Sequence, residues 1–286
     1  MLATSHNALE LTQEDFVLLD SLALLGAEAK RIDWRDPDFP WQTADLIVLR
    51  STWDYHLHLK EFLAWLDRVS INSEVINTPS LIRWNADKRY LLELESRNIP
   101  IVPTALCQLG VRVSEIVESR RWSSIVIKPA VAAGAYETLV FDLPESEAAA
   151  QSHLDRLAMM GSVLVQPYLD AITVEGETSL VYFEGDYYHA VRKTPGPGEF
   201  RVQSEFGGRY DVVDPRPDQL ELADRILVNL PEIPVYARVD LVDIGGTPHL
   251  MELEIIEPEL FFSIVPQGAV VFADILRERF REIVAT

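Results

Sequence analysis

The chain is 286 residues long and 48% hydrophobic, with 25 Lys and Arg against 45 Asp and Glu, a formal net charge of −20 at pH 7. That length accommodates about two domains with a sizeable core. So acidic a surface lacks the clustered cations that hold phosphate backbones, which excludes DNA and RNA as principal partners. The longest apolar runs, "SIVIKPAVAAGA" and "FFSIVPQGAVVFA", are broken by Lys, Pro, Gln or Gly before they could cross a bilayer, so no membrane partner is expected. The opening "MLATSHNALELTQED" shows no basic segment followed by an apolar one, so no secretory signal is expected and the cytoplasm is the default location. Cys107, the single cysteine, has no partner for an internal disulfide, and its apolar neighbours predict a packed thiol.

In chain order, "TQEDFVLLDSLALLGAEAK" predicts a helix capped by Thr12 and ending near Gly26, with acids in the first turn and an apolar stripe at helical spacing. A buried strand follows at Leu46 to Leu49, then the abruptly polar and aromatic "RSTWDYH", then a helix over "LKEFLAWLDRV". This alternation predicts a small α/β domain with a parallel sheet. Residues at the carboxyl end of such a strand commonly face a ligand. Arg50, Ser51, Thr52, Trp53 and Asp54 are therefore candidates for a substrate wall; equally, Asp54 suits a helix N-cap and Trp53 plain packing. Over "TPSLIRWNADKRYLLELESRNIPIVPT" the expectation is a loop, a helix opened by Asn85 or Asp87 and closed before Pro100, and an extended segment, with a domain boundary nearby.

Next, "SSIVIKPAVAAGAYETLVFD" reads as two apolar β-runs around a flexible Gly/Ala loop. Such a hairpin can lay backbone N–H groups over phosphates, with Lys128 adding a point charge, although an ordinary turn has the same composition. Neither G-x-x-x-x-G-K-[ST] nor a G-x-G-x-x-G after a strand occurs. "GSVLVQPYLD" reads as a strand ending in a Gln-Pro-Tyr turn, and "GETSLVYFEGDYYHAVRK" as two strands around "EGD". A Gly/Pro-rich segment, "TPGPGEFRVQSEFGG", follows and carries Arg201.

The stretch "VYARVDLVDIGGTPHLMELEIIEPE" predicts a hairpin. Strand alternation places Glu252 and Glu254 on one face and Met251, Leu253 and Ile255 on the other, and pairing would bring Asp240 opposite the two acids. The set fits the wet side of an edge strand, or a Mg²⁺ site completed by substrate phosphates. Like charges so close repel, so Glu252→Gln is expected to leave the fold at least as stable. His56 and His58 are the closest histidine pair and lack a third Zn²⁺ ligand nearby.

Taken in order, Lys88 in "NADKRY", Lys128 in "VIKPAVAAGA", "VQPYLD" followed by Glu177 in "EGETS", Arg201 in "EFRVQSEFGG", Arg238 and Asp240 in "ARVD", and "MELE" resemble the ATP-grasp ligases of the glutathione synthetase-like group. The resemblance runs over roughly residues 80 to 275. The wider pattern, with "RSTWDYH", "RWNADKRYLLEL" and "MELEIIEPELFF", is similar to the branch of cyclo-ligases that form cycloserine from an O-ureido-serine. The resemblance implies an α/β and α+β architecture, the ATP-grasp fold. A small N-terminal α/β domain (1–84) that helps build the substrate site would precede two α+β subdomains (85–165 and 166–286) that clasp ATP.

By the same resemblance, Lys88 and Lys128 are the phosphate-binding lysines, and Ala130 to Tyr136, with Gly134, the mobile flap. Gln166, Tyr168 and Leu169 are the adenine-side linker, their backbone reading the base edge, and Glu177 or its rival Glu175 takes the ribose hydroxyls. Asp240, Glu252 and Glu254 match the metal positions, implying two Mg²⁺; glutathione synthetases carry Glu-x-Asn where this chain has Glu-x-Glu, which leaves the substrate open.

The implied chemistry is phosphoryl transfer from ATP to a small amino-acid-like carboxylate, followed by attack of an amine nitrogen on the acyl phosphate, driven by positioning and electrostatics. Arg201 is implied at the tetrahedral oxyanion, Arg192 and Lys193 near the γ-phosphate, and Arg238 as a further catalytic group. Arg238 equally suits an ion pair with Glu254, and Lys193 a solvated hairpin. A small-molecule kinase, or a nucleotide-binding regulator without turnover, would use the same fold. A homo-oligomer is left open.

Overall fold

Three β-sheets follow one another along the chain in the computed structural model, which describes residues 1–9 and 12–285. The first, from β1 (Leu2–Thr4), β2 (Arg31–Asp33), β3 (Leu46–Leu49) and β4 (Glu74–Ile76), is parallel in the order β2-β1-β3-β4. Helices α1 (Gln13–Leu24) and α2 (Leu59–Val69) belong to this unit and match the expected spans. In α2 the apolar stripe Phe62, Trp65, Leu66 and Val69 recurs at helical spacing and is buried. It meets Trp34 and Trp41 edge-on, with Trp34 to Phe62 and Trp41 to Trp65 ring centroids 5.3 and 5.1 Å apart. Thr12 sits at the start of α1, but its hydroxyl makes no capping bond and donates instead to Asp15 Oδ2 at 2.9 Å.

The region after β4 departs from expectation. Helix α3 (Pro79–Asn85) lies where a loop was expected; Thr78 caps it by accepting the Leu81 N–H, and Pro79 occupies the first turn. Asn85 therefore closes a helix rather than opening one. The second helix, α4 (Tyr90–Ser96), begins beyond Asp87, whose carboxylate accepts the Arg89 N–H at 3.0 Å.

The second sheet, from β5 (Ala105–Cys107), β6 (Ser124–Pro129), β7 (Leu139–Asp142) and β8 (Val163–Pro167), is antiparallel in the order β5-β8-β6-β7. Helices α5 (Val113–Arg120) and α6 (Glu147–Ala158) share a core with it, in which Cys107 is buried and its thiol pushed up to about 11 by burial. Past the short α7 (Asp170–Val174) comes the third sheet, from β9 (Glu177–Phe183), β10 (Asp186–Thr194), β11 (Arg209–Val213), β12 (Tyr236–Ile244) and β13 (Thr247–Glu254). It is antiparallel in the order β11-β10-β9-β12-β13. Its faces pack on two different cores: Leu180 and Tyr182 face α4 and α8 (Pro217–Val228), while Val181 and Phe183 face α1 and α9 (Pro266–Ala285). Alternation along β9 is thus apolar on both sides, and the whole strand is buried.

The expected hairpin joins β12 and β13 through Gly245 and Gly246, both at positive φ (60° and 79°), as a tight two-residue connection requires. Its outer edge is not wet. Asn85 Nδ2 donates to the Leu253 carbonyl (2.8 Å), its Oδ1 accepts the Ile255 N–H (3.2 Å), and the Tyr90 hydroxyl bonds the Leu253 carbonyl and N–H (2.9 Å each). Further along, Asn77 donates to the Tyr236 and Ile255 carbonyls, and the Tyr236 hydroxyl lies 2.8 Å from those of Leu49 and Ile256. Side chains from the first domain and from α3 and α4 thus stand in for a neighbouring strand.

On the far side of the third sheet, His189 is buried with Nε2 3.1 Å from the Leu260 carbonyl. Burial pushes its pKa from 6.5 down to about 4. Below about 6.5 the unfolded chain takes up a proton that the folded ring refuses, so stability should fall as pH drops from about 6.5 to about 4. The total is about 3 kcal/mol. Urea unfolding across that window should show the loss, and His189→Gln should flatten that part of the pH dependence.

Candidate active site

A cleft of about 710 Å³ draws its walls from all three sheet regions, a size that suits a nucleotide or a small substrate. Its cations and carboxylates come from facing strands. On β6, Lys128 is 9% exposed and makes no ion pair among the described residues; burial and Lys88 push its pKa down against the pull of Glu252. Lys88, on the turn before α4, donates to the Ala132 carbonyl in the β6–β7 loop and pairs with Glu252 at 3.2 Å. That loop lies over the cleft, with the Tyr136 ring 5.0 Å from the His56 ring of the first domain.

On the third sheet, register puts Asp240 opposite Glu252 and Arg238 opposite Glu254, the juxtaposition expected from the sequence. Lys193 on β10 is opposite Glu177 on β9. Gly176 makes that pairing fit: a Cβ there would stand 2.6 Å from the Lys193 carbonyl oxygen. Lys193 is not a solvated hairpin residue. It is buried, 2.5 Å from Glu177 and 3.3 Å from Asp240, and both charges hold its ammonium well above the usual lysine range against burial.

Asp240 also accepts from Arg238 (2.9 Å) and from the Ser179 hydroxyl (2.5 Å). Burial works against its charge, and Arg238 and Lys193 outweigh it and hold the carboxyl far below its usual range. With both oxygens occupied, Asp240 is not the free ligand the sequence suggested. The two neighbouring glutamates diverge. Burial pushes Glu254 up to about 7, Arg238 opposing and Glu252 adding to it, while Lys88 and Lys128 outweigh burial at Glu252 and hold it low.

The ATP-grasp fold generally binds ATP with Mg²⁺. Among the described residues no three His, Cys, Asp or Glu gather closely enough to hold a metal by themselves. Mg²⁺ is usually held by one or two carboxylates with substrate phosphates supplying further oxygens. Glu252 and Glu254, each about a quarter exposed at the cleft, fit that donor set, and Asp240 fits the role of fixing Arg238 and Lys193 around them. Because Glu252 balances two lysines, Glu252→Gln should not relieve repulsion, contrary to the sequence expectation. It should cost about 1–3 kcal/mol of stability and lower ADP release by on the order of 10²-fold or more. Melting without nucleotide and a turnover assay check both halves.

The remaining predicted residues divide. Gln166, Tyr168, Leu169, Gly134 and Arg201 line the cleft, but the Tyr168 N–H is committed to the Ser124 carbonyl (2.9 Å) and is not free to read a base. Arg201 is held by Glu199 (2.6 Å) and stacks 3.6 Å over Phe206. Glu177 lies in the cleft, whereas Glu175, at the end of α7, is exposed. Arg192 is exposed too, because strand alternation turns it to the face opposite Lys193.

Of the substrate wall, Arg50, Ser51 and Trp53 line the cleft; Thr52 and Asp54 do not. Thr52 is buried behind it, and Asp54 accepts the Trp34 indole N–H at 2.7 Å. Arg50 pairs with Glu14 and Asp15 and donates to the Pro258 carbonyl, tying the first domain to the segment after β13. Tyr55, Glu14, Glu257 and Glu259 also line the cleft and were not singled out from the sequence. The acids of "EIIEPE" were the available signal.

Two α+β units closing on a cleft of lysines and carboxylates make up an ATP-grasp fold. Residues 94–265 match the model of the prokaryotic glutathione synthetase ATP-grasp domain, and residues 1–77 that of the N-terminal domain of the D-cycloserine synthetase DcsG. The cycloserine biosynthesis protein DcsG of Streptomyces lavendulae is 31% identical over 283 residues, covering 92% of this chain and 93% of that protein. The crystal structure of D-cycloserine synthetase DcsG superposes with a TM-score of 0.89 over 98% of both chains. A RimK-domain ATP-grasp protein from Sphaerobacter thermophilus (20% identity, TM-score 0.71, 96% and 98% covered) shares the fold. So does a D-alanine–D-alanine ligase from Bacillus anthracis (13%, 0.65, 99% and 97%). The chain belongs to the glutathione synthetase-like ATP-grasp ligases, in the branch that carries the DcsG-type N-terminal domain. It is an ATP-grasp ligase enzyme.

Proposed function

We propose that the enzyme activates a small amino-acid-like carboxylate as an acyl phosphate at the expense of ATP, and that a nitrogen of the same molecule then closes a ring, as in cycloserine formation. The observation that carries this reading is the likeness to DcsG across the first domain as well as the clasp, because that domain brings Arg50, Ser51 and Trp53 to the cleft. In this reading residues 1–84 build the substrate end, and 85–165 and 166–286 close over ATP. Lys88 and Lys128 neutralise its phosphates under the β6–β7 loop, and Lys193 stands at the γ-phosphate end. Gln166, Tyr168 and Leu169 flank the base, and Glu177 takes the ribose. Glu252 and Glu254 hold Mg²⁺, two ions in number, which supplies further charge neutralisation when bound. Arg201 reaches the oxyanion once the segment bearing it releases Glu199. A cytoplasmic setting belongs to the same reading.

Ring closure uses a nitrogen already tethered to the carboxylate and needs no second reactant. With O-ureidoserine as probe, ADP release should proceed without an added amine, and hydroxylamine should divert the intermediate to a hydroxamate in an ATP-dependent reaction. ADP release only on supplying a separate amine would make the enzyme an intermolecular ligase. Accumulation of a phosphorylated product without cyclisation would make it a kinase.

A further inference from the structure

The cleft also holds a carboxylate that the structure leaves unmatched. Glu257, three residues past β13, is 8% exposed and lines the cleft, yet it makes no ion pair or hydrogen bond among the described residues. Its acidic neighbours are satisfied: Glu252 by Lys88, Glu254 by Arg238, and Glu14 by Arg50 and the Leu260 and Phe262 N–H groups. Tyr55 is 4% exposed and lines the same cleft, and its hydroxyl is likewise without a hydrogen bond among the described residues. After burial, the Glu257 carboxylate is the leading influence raising the Tyr55 hydroxyl, so the two groups lie within each other's field.

A buried carboxylate without a partner is costly. Burial and then Glu254 push the Glu257 carboxyl well above its usual range, with Lys88 opposing. An anion entering here would worsen the balance. A cation would relieve it, and a compact ammonium could donate to the carboxylate.

We infer that Glu257, in the cleft that Tyr55 also lines, is the subsite that receives the primary ammonium of the substrate, and so selects amino acids over carboxylates lacking the amine. The inference rests on the proposed reading that the substrate is amino-acid-like, and it goes further in fixing which residue recognises the amine. A site built to pair a polar group discriminates strongly against an analogue without it, since its own buried group is then left unmatched.

The test is equilibrium binding, with a non-hydrolysable ATP analogue and Mg²⁺ present. The probes are alanine, serine and O-ureidoserine of both hands, each paired with its des-amino counterpart. Wild type should bind at least one amino member about tenfold or more tightly than its counterpart. Glu257→Gln should erase that preference and leave nucleotide affinity unchanged; Tyr55→Phe should reduce it in the same direction. Ligand-free Glu257→Gln should melt at or above the wild-type temperature. An amino preference that survives in Glu257→Gln overturns the inference, as does binding by des-amino members alone or by none. Loss of the preference in Glu257→Gln, with no ADP release from O-ureidoserine in wild type, would keep the ammonium subsite and reject the cyclo-ligase reading.

Discussion

Lys128→Met is expected to abolish ADP formation while leaving the fold at least as stable as wild type. The side chain is buried on β6 with no carboxylate within ion-pair distance among the described residues; burial and Lys88 work against its charge, and they outweigh the attraction of Glu252 and Glu177. A buried charge whose desolvation outweighs its attractions contributes little to stability, so an apolar stem of similar length should pack without loss. Against the phosphates of ATP the same charge has no neutral substitute. Removal of one such electrostatic contact costs roughly 10²–10³-fold in turnover. ADP release and a melting curve on the same preparation separate the two effects. Unchanged turnover would remove the β6–β7 loop from the nucleotide site.

Arg238→Met should have the opposite balance, with stability lost first. The guanidinium binds Asp240 (2.9 Å) and Glu254 (2.5 Å) and donates to the Glu259 carbonyl (3.2 Å), all in a buried setting. Truncating one partner of a buried charged network leaves the others uncompensated, at a cost of about 3–5 kcal/mol. Asp240 retains Lys193 and Ser179, so the protein should still fold under mild conditions, with a lowered urea midpoint and no measurable ligase activity. Pairing the change with Glu254→Gln, which removes the carboxylate left without its cation, should recover part of the stability and none of the activity. A single variant as stable as wild type would show that Arg238 is not the keystone of this network.

Much of this was legible in the chain because it is encoded locally. The stripe of α2, the strand at Leu46 to Leu49, and the alternation that sets Glu252 and Glu254 on one face all follow from side-chain period. The hairpin turn at Gly245 and Gly246 then brings Asp240 opposite them. Where expectation failed, the deciding partner lay far away or on an unseen face. Asn85 looked like a helix opener because its real partners, the Leu253 carbonyl and Ile255 N–H, are 168 and 170 residues distant. Arg192 and Lys193 are adjacent in sequence, and only the orientation of β10 tells which of them enters the cleft. Asp240 matched a ligand pattern, but a pattern does not show that Arg238 and Lys193 already occupy both oxygens. Tyr55 and Glu257 were invisible as a pair, since nothing in either neighbourhood signals the other.

The contacts that close off β13 also bear on how the chain reaches this state. Glu14, near the beginning, accepts N–H groups from residues 246 and 248 positions later, and Tyr236 bonds a carbonyl 187 positions earlier. The first domain is synthesised long before these partners exist, so its Glu14, Arg50 and Asn77 wait in an incomplete environment until nearly the whole chain has emerged. Bonds spanning such separations demand loop closure before they contribute. Folding is therefore expected to finish late and all together, with the amino-terminal sheet gaining its full protection from hydrogen exchange only when residues 253–262 dock against it.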